Sequence, residues 1–371
     1  MFRNVHQKLN RNLKPTQKFS WGAVFALFFL SLFVSCSKEK DIASFKTFER
    51  IINVSDDLEK ISIGTDLFVV LEVAASDHFL FVLTNDKNTV LKVFDLKTLK
   101  YKGSHGSVGL GPDEFHFPYQ DGFRVYNRNT LSMMDRKSIR QIELDKDSIF
   151  TKTKYIKLPG LMIPLREGSF LNDSTIIGLN QPINDFQFML YDFKNDTITH
   201  KSPYPKVPFV GSLFEKKGQL NSFMKISSTG TKILLAYEKL PLIRILSLQE
   251  PLRDNMIKTE DECLCNYLTD KDGYLKNGNS TTYYYFDMAT SNQYLFAGYK
   301  KREVSYAENN KAVVKLFGKK EIHVFDFEGK PIAKLILEDW MFEYAISPDS
   351  KYIYFTHPEE SSVIYRYPLS L

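Results

Sequence analysis

The chain is poor in the side chains that most enzymes of its size use for chemistry. It has seven histidines and three cysteines among 371 residues. His105, His116 and His357 stand singly in polar stretches, where a lone imidazole is more often a solvated side chain than a general base. No Gly-x-Ser-x-Gly elbow, His-Glu-x-x-His helix or Walker loop occurs. The commonest templates for serine hydrolysis, zinc proteolysis and nucleotide binding are therefore missing. The paired acids Asp56-Asp57 and Glu359-Glu360 are chain neighbours, which point to opposite faces in extended backbone. An excess of one charge is also lacking. The net charge of +5 comes from five basic residues in 1–35, where there is no acid; the remaining 44 basic side chains match the 44 acids. Nothing in that balance marks a nucleic-acid partner. Cys263 and Cys265 have no second pair to complete a four-thiolate zinc site. A structural disulfide, buried thiols and a redox pair stay open for them, and neither a metal nor a cofactor is predicted.

What the chain has in quantity is aromatic residues, 14% of the total, with 30 Phe and 20 Tyr. Phe, Tyr, Val and Ile gather in short runs separated by Asn, Asp, Gly, Lys and Pro, the pattern of an all-β protein. The N-terminus differs. Residues 1–18 are basic, and Phe19–Val34 is an apolar run of signal-peptide length, short for an ordinary membrane span. Ser35 and Cys36 follow, then the charged stretch Ser37-Lys38-Glu39-Lys40-Asp41.

The folded part is organised around Val93–Phe115, which reads as a strand, a turn, a short outer strand and the loop Gly109-Leu110-Gly111-Pro112-Asp113-Glu114-Phe115. Gly109 and Gly111 permit backbone angles closed to other residues, and Pro112 fixes the next one. Glu114 reads as a loop anchor and Phe115 as a ring buried where the chain re-enters the fold. This stretch after a "VFDL" strand resembles the TolB-like six-bladed β-propeller lipoproteins of Bacteroidetes-type bacteria. Phe33-Val34-Ser35-Cys36 resembles a lipobox, with Phe where Leu is usual. The resemblance implies cleavage before Cys36 and acylation of its thiol and new amino terminus with palmitate-type chains. Several chains on one residue anchor firmly. The expected organisation is a signal peptide at 1–35, a lipidated tether at 36–43 and a propeller at 44–371. The expected address is the cell envelope: outer membrane, periplasmic side or cell surface.

Comparable strands at Val93–Leu96, Met133–Arg136, Leu190–Phe193, Arg244–Ser247, Val324–Phe327 and Ile364–Tyr367 are mostly about 40 to 57 residues apart, a blade's length. Six four-stranded antiparallel blades follow, with a seven-bladed ring using an insertion at about 251–281 as the alternative. Ser347-Pro348-Asp349-Ser350 resembles the "SPDG" turn common in propeller blades. The sixth unit runs out of chain after three strands, so Ser44–Ile52 is predicted to supply its outer strand and close the ring.

With strands a to d counted from the centre, the b–c turns and the connections between blades share one face. The long connections fall there, and loops on a rigid scaffold usually carry binding. Arg128, Gln181, Asp185, Tyr299, Arg302, Tyr306, His357 and Glu359 are the candidate contacts for a protein, peptide or glycan. The second functional reading is an enzyme. Some six-bladed propellers hold calcium through inward carboxylates and hydrolyse lactones or esters, and oxygen ligands suit that ion. Asp66, Asp287 and Glu343 lie near inner strands here.

Overall fold

The computed structural model describes residues 42–43, 47–109, 114–115, 118–126, 130–135, 138–145, 152–160, 167–179, 185–205, 218–249, 253–260, 280–306 and 312–371. Three short strands come first: β1 (Ile42–Ala43), β2 (Arg50–Asn53) and β3 (Glu59–Ser62). Blade 1 is β4 (Val70–Ala75), β5 (Phe79–Thr84), β6 (Leu91–Asp95) and β7 (Tyr101–His105). Blade 2 is β8 (Pro118–Tyr126), β9 (Thr130–Asp135), β10 (Ser138–Glu143) and β11 (Lys152–Lys157). Blade 3 is β12 (Gly168–Phe170), β13 (Thr175–Leu179), β14 (Phe186–Asp192) and β15 (Thr197–Pro203). Blade 4 is β16 (Ser222–Ile226), β17 (Lys232–Tyr237), β18 (Leu242–Ser247) and β19 (Asp254–Lys258). Blade 5 is β20 (Ser280–Thr290) and β21 (Tyr294–Tyr306), an added strand β22 (Ala312–Leu316), then β23 (Lys320–Asp326) and β24 (Pro331–Leu337). Blade 6 is β25 (Tyr344–Ile346), β26 (Tyr352–Thr356) and β27 (Val363–Pro368), with β3 as its fourth strand. The chain is a six-bladed β-propeller.

Alternation along single strands explains why the sheets stand face to face. In β5, Phe79, Phe81 and Leu83 join a buried cluster with Phe123, Leu131 and Met133 of blade 2. The intervening Leu80 and Val82 join a different cluster with Ala345, Tyr354 and Ile364 of blade 6. Successive side chains point to opposite faces, so one strand serves two interfaces. Six such clusters fill the six junctions between blades, including the junction of the last blade with the first.

The ring closes by an N-terminal strand, but a different one from the strand predicted. β3 pairs antiparallel with β27, Glu59 opposite Arg366 and Ser62 opposite Val363. Within Ser44–Ile52, the segment from Arg50 belongs to β2, which adds parallel to β24 on the outer edge of blade 5. β1 adds likewise to β19 of blade 4. β2 and β3 share the same one-sided burial, one half-buried residue in four. Pattern alone does not rank them. Val54, fully buried at the junction of blades 5 and 6, begins the 3₁₀ turn that moves the chain from one blade to the next.

Two further corrections concern strand order. Met133–Arg136 does not match the other third strands: residues up to Asp135 lie in β9, the second strand of blade 2. Its third strand is β10. Within the 251–281 insertion, Asp254–Lys258 is the fourth strand of blade 4 and Ser280 begins the first strand of blade 5, so neither starts a seventh blade.

The loop after β7 packs back on blade 1. Val108 N donates to Lys87 O at 2.9 Å, and Gly109 N to Phe115 O at 2.9 Å. Phe115 is fully buried between blades 1 and 2, and the Arg140 guanidinium lies 4.3 Å from its ring centroid. Arg140 also donates to Glu114 O. Gly111 and Pro112 lie outside the described residues. Gly106 has φ +73°, and a Cβ there would stand 2.2 Å from Phe115 Cε2. Gly106→Ala is therefore expected to cost about 2–4 kcal/mol, from left-handed strain together with overpacking. A denaturant melt checks this, and a midpoint equal to wild type would show that the ring moves aside freely.

Candidate functional site

The first strands of neighbouring blades approach one another around the axis, so they are the inner strands. Their C-terminal ends and a–b turns line a cavity of about 510 Å³. Five blades contribute: Ala74 and Asp77 of blade 1, Arg124 of blade 2, Lys225 of blade 4, Thr290 and Asn292 of blade 5, and Ile346 of blade 6. This mouth opens on the a–b face, opposite the long connections where docking was expected. Most of those connections lie outside the described residues.

A repeated serine shapes the rim. Ser76, Ser227, Ser291 and Ser347 are each buried just after an inner strand. Ser76 Oγ accepts from Phe79 N at 3.1 Å, and Ser291 Oγ from Tyr294 N at 3.1 Å. Ser227 Oγ accepts from Lys232 N at 3.0 Å, and Ser347 Oγ from Tyr352 N at 2.9 Å. Each hydroxyl holds a tight turn into the second strand, a role short polar side chains fill readily. Only the Ser347 turn stood out in the sequence; serine at the same offset in blades 1, 4 and 5 was the signal for the others. The turns of blades 5 and 6 are tied together by Ser350 Oγ and Ser291 Oγ at 2.7 Å and by Asn292 N donating to Pro348 O at 2.9 Å.

Below the rim, charged side chains knit the blades. Arg124 donates to Phe170 O at 3.2 Å and to Ser227 O at 3.1 Å, joining blades 2, 3 and 4. Lys225 Nζ donates to Glu72 Oε1 at 2.5 Å. Glu72 is in blade 1 and Lys225 in blade 4, and those blades stand opposite one another in a ring of six. The pair thus crosses the axis. Glu167, preceding β12, accepts from Met224 N at 2.5 Å. Burial alone would lower the Lys225 pKa, but Glu72, Asp287 and Glu167 outweigh it and hold the ammonium above the ordinary lysine value. The cations at this level are thus committed to partners within the protein.

The residues expected to form the site are dispersed. Arg128 and Gln181 lie outside the described residues; the strands flanking Arg128 are the first and second of blade 2, an a–b connection. Asp185 O accepts from Tyr204 N at 3.1 Å at the entry to β14. The Tyr299 ring stacks on His323 at 4.5 Å, and its hydroxyl donates to Glu260 Oε1 at 2.7 Å. Burial and that carboxylate hold the Tyr299 hydroxyl well above its usual pKa, and its place is the blade 4–blade 5 junction. Arg302 lies 5.2 Å from the Tyr283 ring centroid, and Tyr306 ends β21. His357 Nδ1 accepts from Glu359 N at 3.1 Å and from Glu360 N at 3.2 Å, a local turn. Among the described residues, the turn bond between His357 and Glu359 is local, and the other described candidates lie on β21 or just before β14. Cys36, Cys263 and Cys265 also lie outside the described residues.

Among the described residues, no group of three or more His, Cys, Asp or Glu side chains could hold a metal ion. Asp66 Oδ1 accepts from Ser361 Oγ at 2.9 Å, away from Asp287, which faces Lys225. No helix among those residues is long and apolar enough to cross a membrane.

No family model matches the sequence, and no curated protein matches it. Among solved structures, the chain is similar to a protein of Bacteroides fragilis assigned as exported. The identity is 15%, the TM-score is 0.53, and the match covers 89% of this chain and 100% of that one. A member of the DUF4221 family from Bacteroides vulgatus gives 11% identity and a TM-score of 0.49, over 85% of this chain and 98% of that one. The Bacteroides fragilis likeness shows the propeller fold.

Proposed function

We propose that the chain is an exported, TolB-like lipoprotein, anchored in the cell envelope through acylated Cys36, whose propeller binds rather than catalyses. Its small-ligand seat is the axial mouth on the a–b face, and its ligand there is a neutral glycan. The observation that carries this reading is the five-blade cavity. Its size falls within the range of small-molecule sites. Its lining mixes short hydroxyl and amide side chains with the partly exposed apolar residues Ala74, Val125 and Pro348. Such a wall offers hydrogen bonds at the edges of a sugar ring and apolar contact across its face. With Lys225 committed to Glu72 and Arg124 to two carbonyls, an ionic ligand gains little from them. The long-loop face is the second surface in this reading, for a protein or peptide.

Filling the mouth tests the seat. Ser228→Trp and Thr290→Trp add bulk at residues that line the cavity in two blades. Each is expected to abolish binding of neutral oligosaccharides, measured by calorimetry after an array screen, while the melting temperature stays near wild type. Failure to bind any neutral glycan, or binding untouched by both variants, would sink the assignment. Mass spectrometry of envelope-extracted protein checks the anchor: chains starting at Cys36 with added acyl mass are expected.

A further inference from the structure

Blade 5 carries a strand that the blade itself does not need. β21 outruns β23, and beyond Lys300 its edge is taken over by β22, with Arg302 opposite Leu316 and Tyr306 opposite Ala312. On the other side, Ser280–Tyr283 of β20 pairs with the same extension. The three strands form a flap at the b–c end of the blade. Among the described residues nothing pairs with the far edge of β22, and all five of its residues are exposed.

The edge is chemically complete. Phe317 N donates to Lys301 O at 3.0 Å, so that pair is a hydrogen-bonded one. In an antiparallel ladder such pairs alternate. Lys315 and Val313 therefore spend their backbone groups on β21, and Ala312, Val314 and Leu316 turn theirs outward. The same alternation sorts the side chains. Val314 and Leu316, 54% and 55% exposed, share a face with Val304, Arg302 and Tyr283. Val313 and Lys315 occupy the other face. Proteins normally blunt such an edge with charge, proline or a covering loop. Here the outward backbone groups sit beside apolar side chains.

We propose that β22 is a docking edge for an extended segment of a partner protein in which apolar and acidic residues alternate. Added antiparallel, that segment takes up the free N–H and C=O groups of Val314 and Leu316, the mode of strand addition. Its apolar residues cover Val314 and Leu316, and its acids meet Lys315 on the opposite face. Charge selects this occupant over a second copy of the chain. Around this edge Lys315 and Lys319, with Arg302 on the neighbouring strand, outnumber Glu303 among the described residues, so an acidic segment complements its charge where a second copy of the same strand does not. The inference rests on the reading of the long-loop face as a protein-binding surface and is independent of the axial mouth.

The test uses the full chain and fluorescent peptides of about eight residues. An alternating Val-Glu peptide is expected to bind by anisotropy at least about tenfold more tightly than a block peptide of the same composition or an alternating Val-Lys peptide. Val314→Pro removes an outward N–H at an edge position where proline is tolerated, and is expected to abolish binding with an unchanged circular dichroism spectrum. Leu316→Lys, which adds charge without touching the backbone, is expected to do the same. Alternating peptide bound equally by both variants would overturn β22 as the site while leaving a peptide-binding face. No binding of any peptide would overturn both. Concentration-dependent dimers lost in Val314→Pro, without peptide binding, would assign the edge to self-pairing instead.

Discussion

Replacing Arg244 by methionine is expected to lower the stability of the propeller by about 2–4 kcal/mol, mostly from buried acceptors that lose their donor, because Asp254 is 38% exposed and rehydrates. Arg244 is 1% exposed on the third strand of blade 4. Its Nε and Nη2 donate to the two oxygens of Asp254, at 2.8 and 2.6 Å. Nη1 crosses to blade 3, donating to Gln187 Oε1 at 2.5 Å and to Pro203 O at 3.0 Å. Tyr237 adds a second donor to Gln187 Oε1 at 3.1 Å. Methionine fills much of the volume, so the loss falls on hydrogen bonds. The Pro203 carbonyl is left without its donor and Gln187 keeps one of two, in a place that water reaches poorly.

Lysine at 244 keeps the charge and loses the fork. It cannot serve both Asp254 oxygens and the two blade 3 acceptors at once, so Arg244→Lys is expected to recover less than half of the methionine loss. A double-mutant cycle with Asp254→Asn separates the fork from the bridge between blades. If Arg244→Met melts in denaturant within about 1 kcal/mol of wild type, the bridge contributes no more than an exposed ion pair does.

The parts of this protein that were legible in the sequence are those fixed by neighbours along the chain. β5 reads Phe-Leu-Phe-Val-Leu-Thr, buried throughout, because both its faces meet another blade. A run of that kind announces a strand without reference to any partner. The closing strand did not announce itself, since β2 and β3 are equally one-sided and differ only in which blade the turn at Val54 delivers them to. β22 was illegible as an edge, because its place depends on β21 continuing past β23. The axial mouth was less visible still. Ser76, Ser227 and Ser291 sit in short, ordinary turns, and what makes them a rim is the closure of the ring around them. Tyr299 failed for the converse reason. Near a predicted loop it read as a contact residue, whereas the Glu260 carboxylate and the His323 ring hold it inside a junction.

Lys225→Met is expected to cost about 3–5 kcal/mol at neutral pH, through a different balance. Glu72 is buried, and Asp287 and Glu167 stand at the same level of the axis. Without the ammonium, Glu72 loses its bond to Lys225 while Asp287 and Glu167 stay close by in a poorly solvated space. The pH dependence distinguishes this from a packing defect. In the native protein the raised pKa of Lys225 means that its contribution is complete below the unfolded lysine value, about 10.4, and is lost as pH rises through the folded one. In the variant, burial with the Lys225 counter-charge removed pushes the carboxyl pKa of Glu72 upward. The folded variant then binds protons more readily than its unfolded chain, so it gains on wild type as pH falls toward about 4 and loses as pH rises. The difference between the two proteins is expected to be widest from neutral to mildly alkaline pH and to narrow in acid. Glu72→Gln in the Lys225→Met background removes the buried carboxylate that lost its bond to Lys225, and is expected to restore part of the stability at pH 7. A gap that stays constant from pH 5 to 9, with no recovery in the double variant, would mean that Lys225 acts by filling space and that its tie across the axis is incidental.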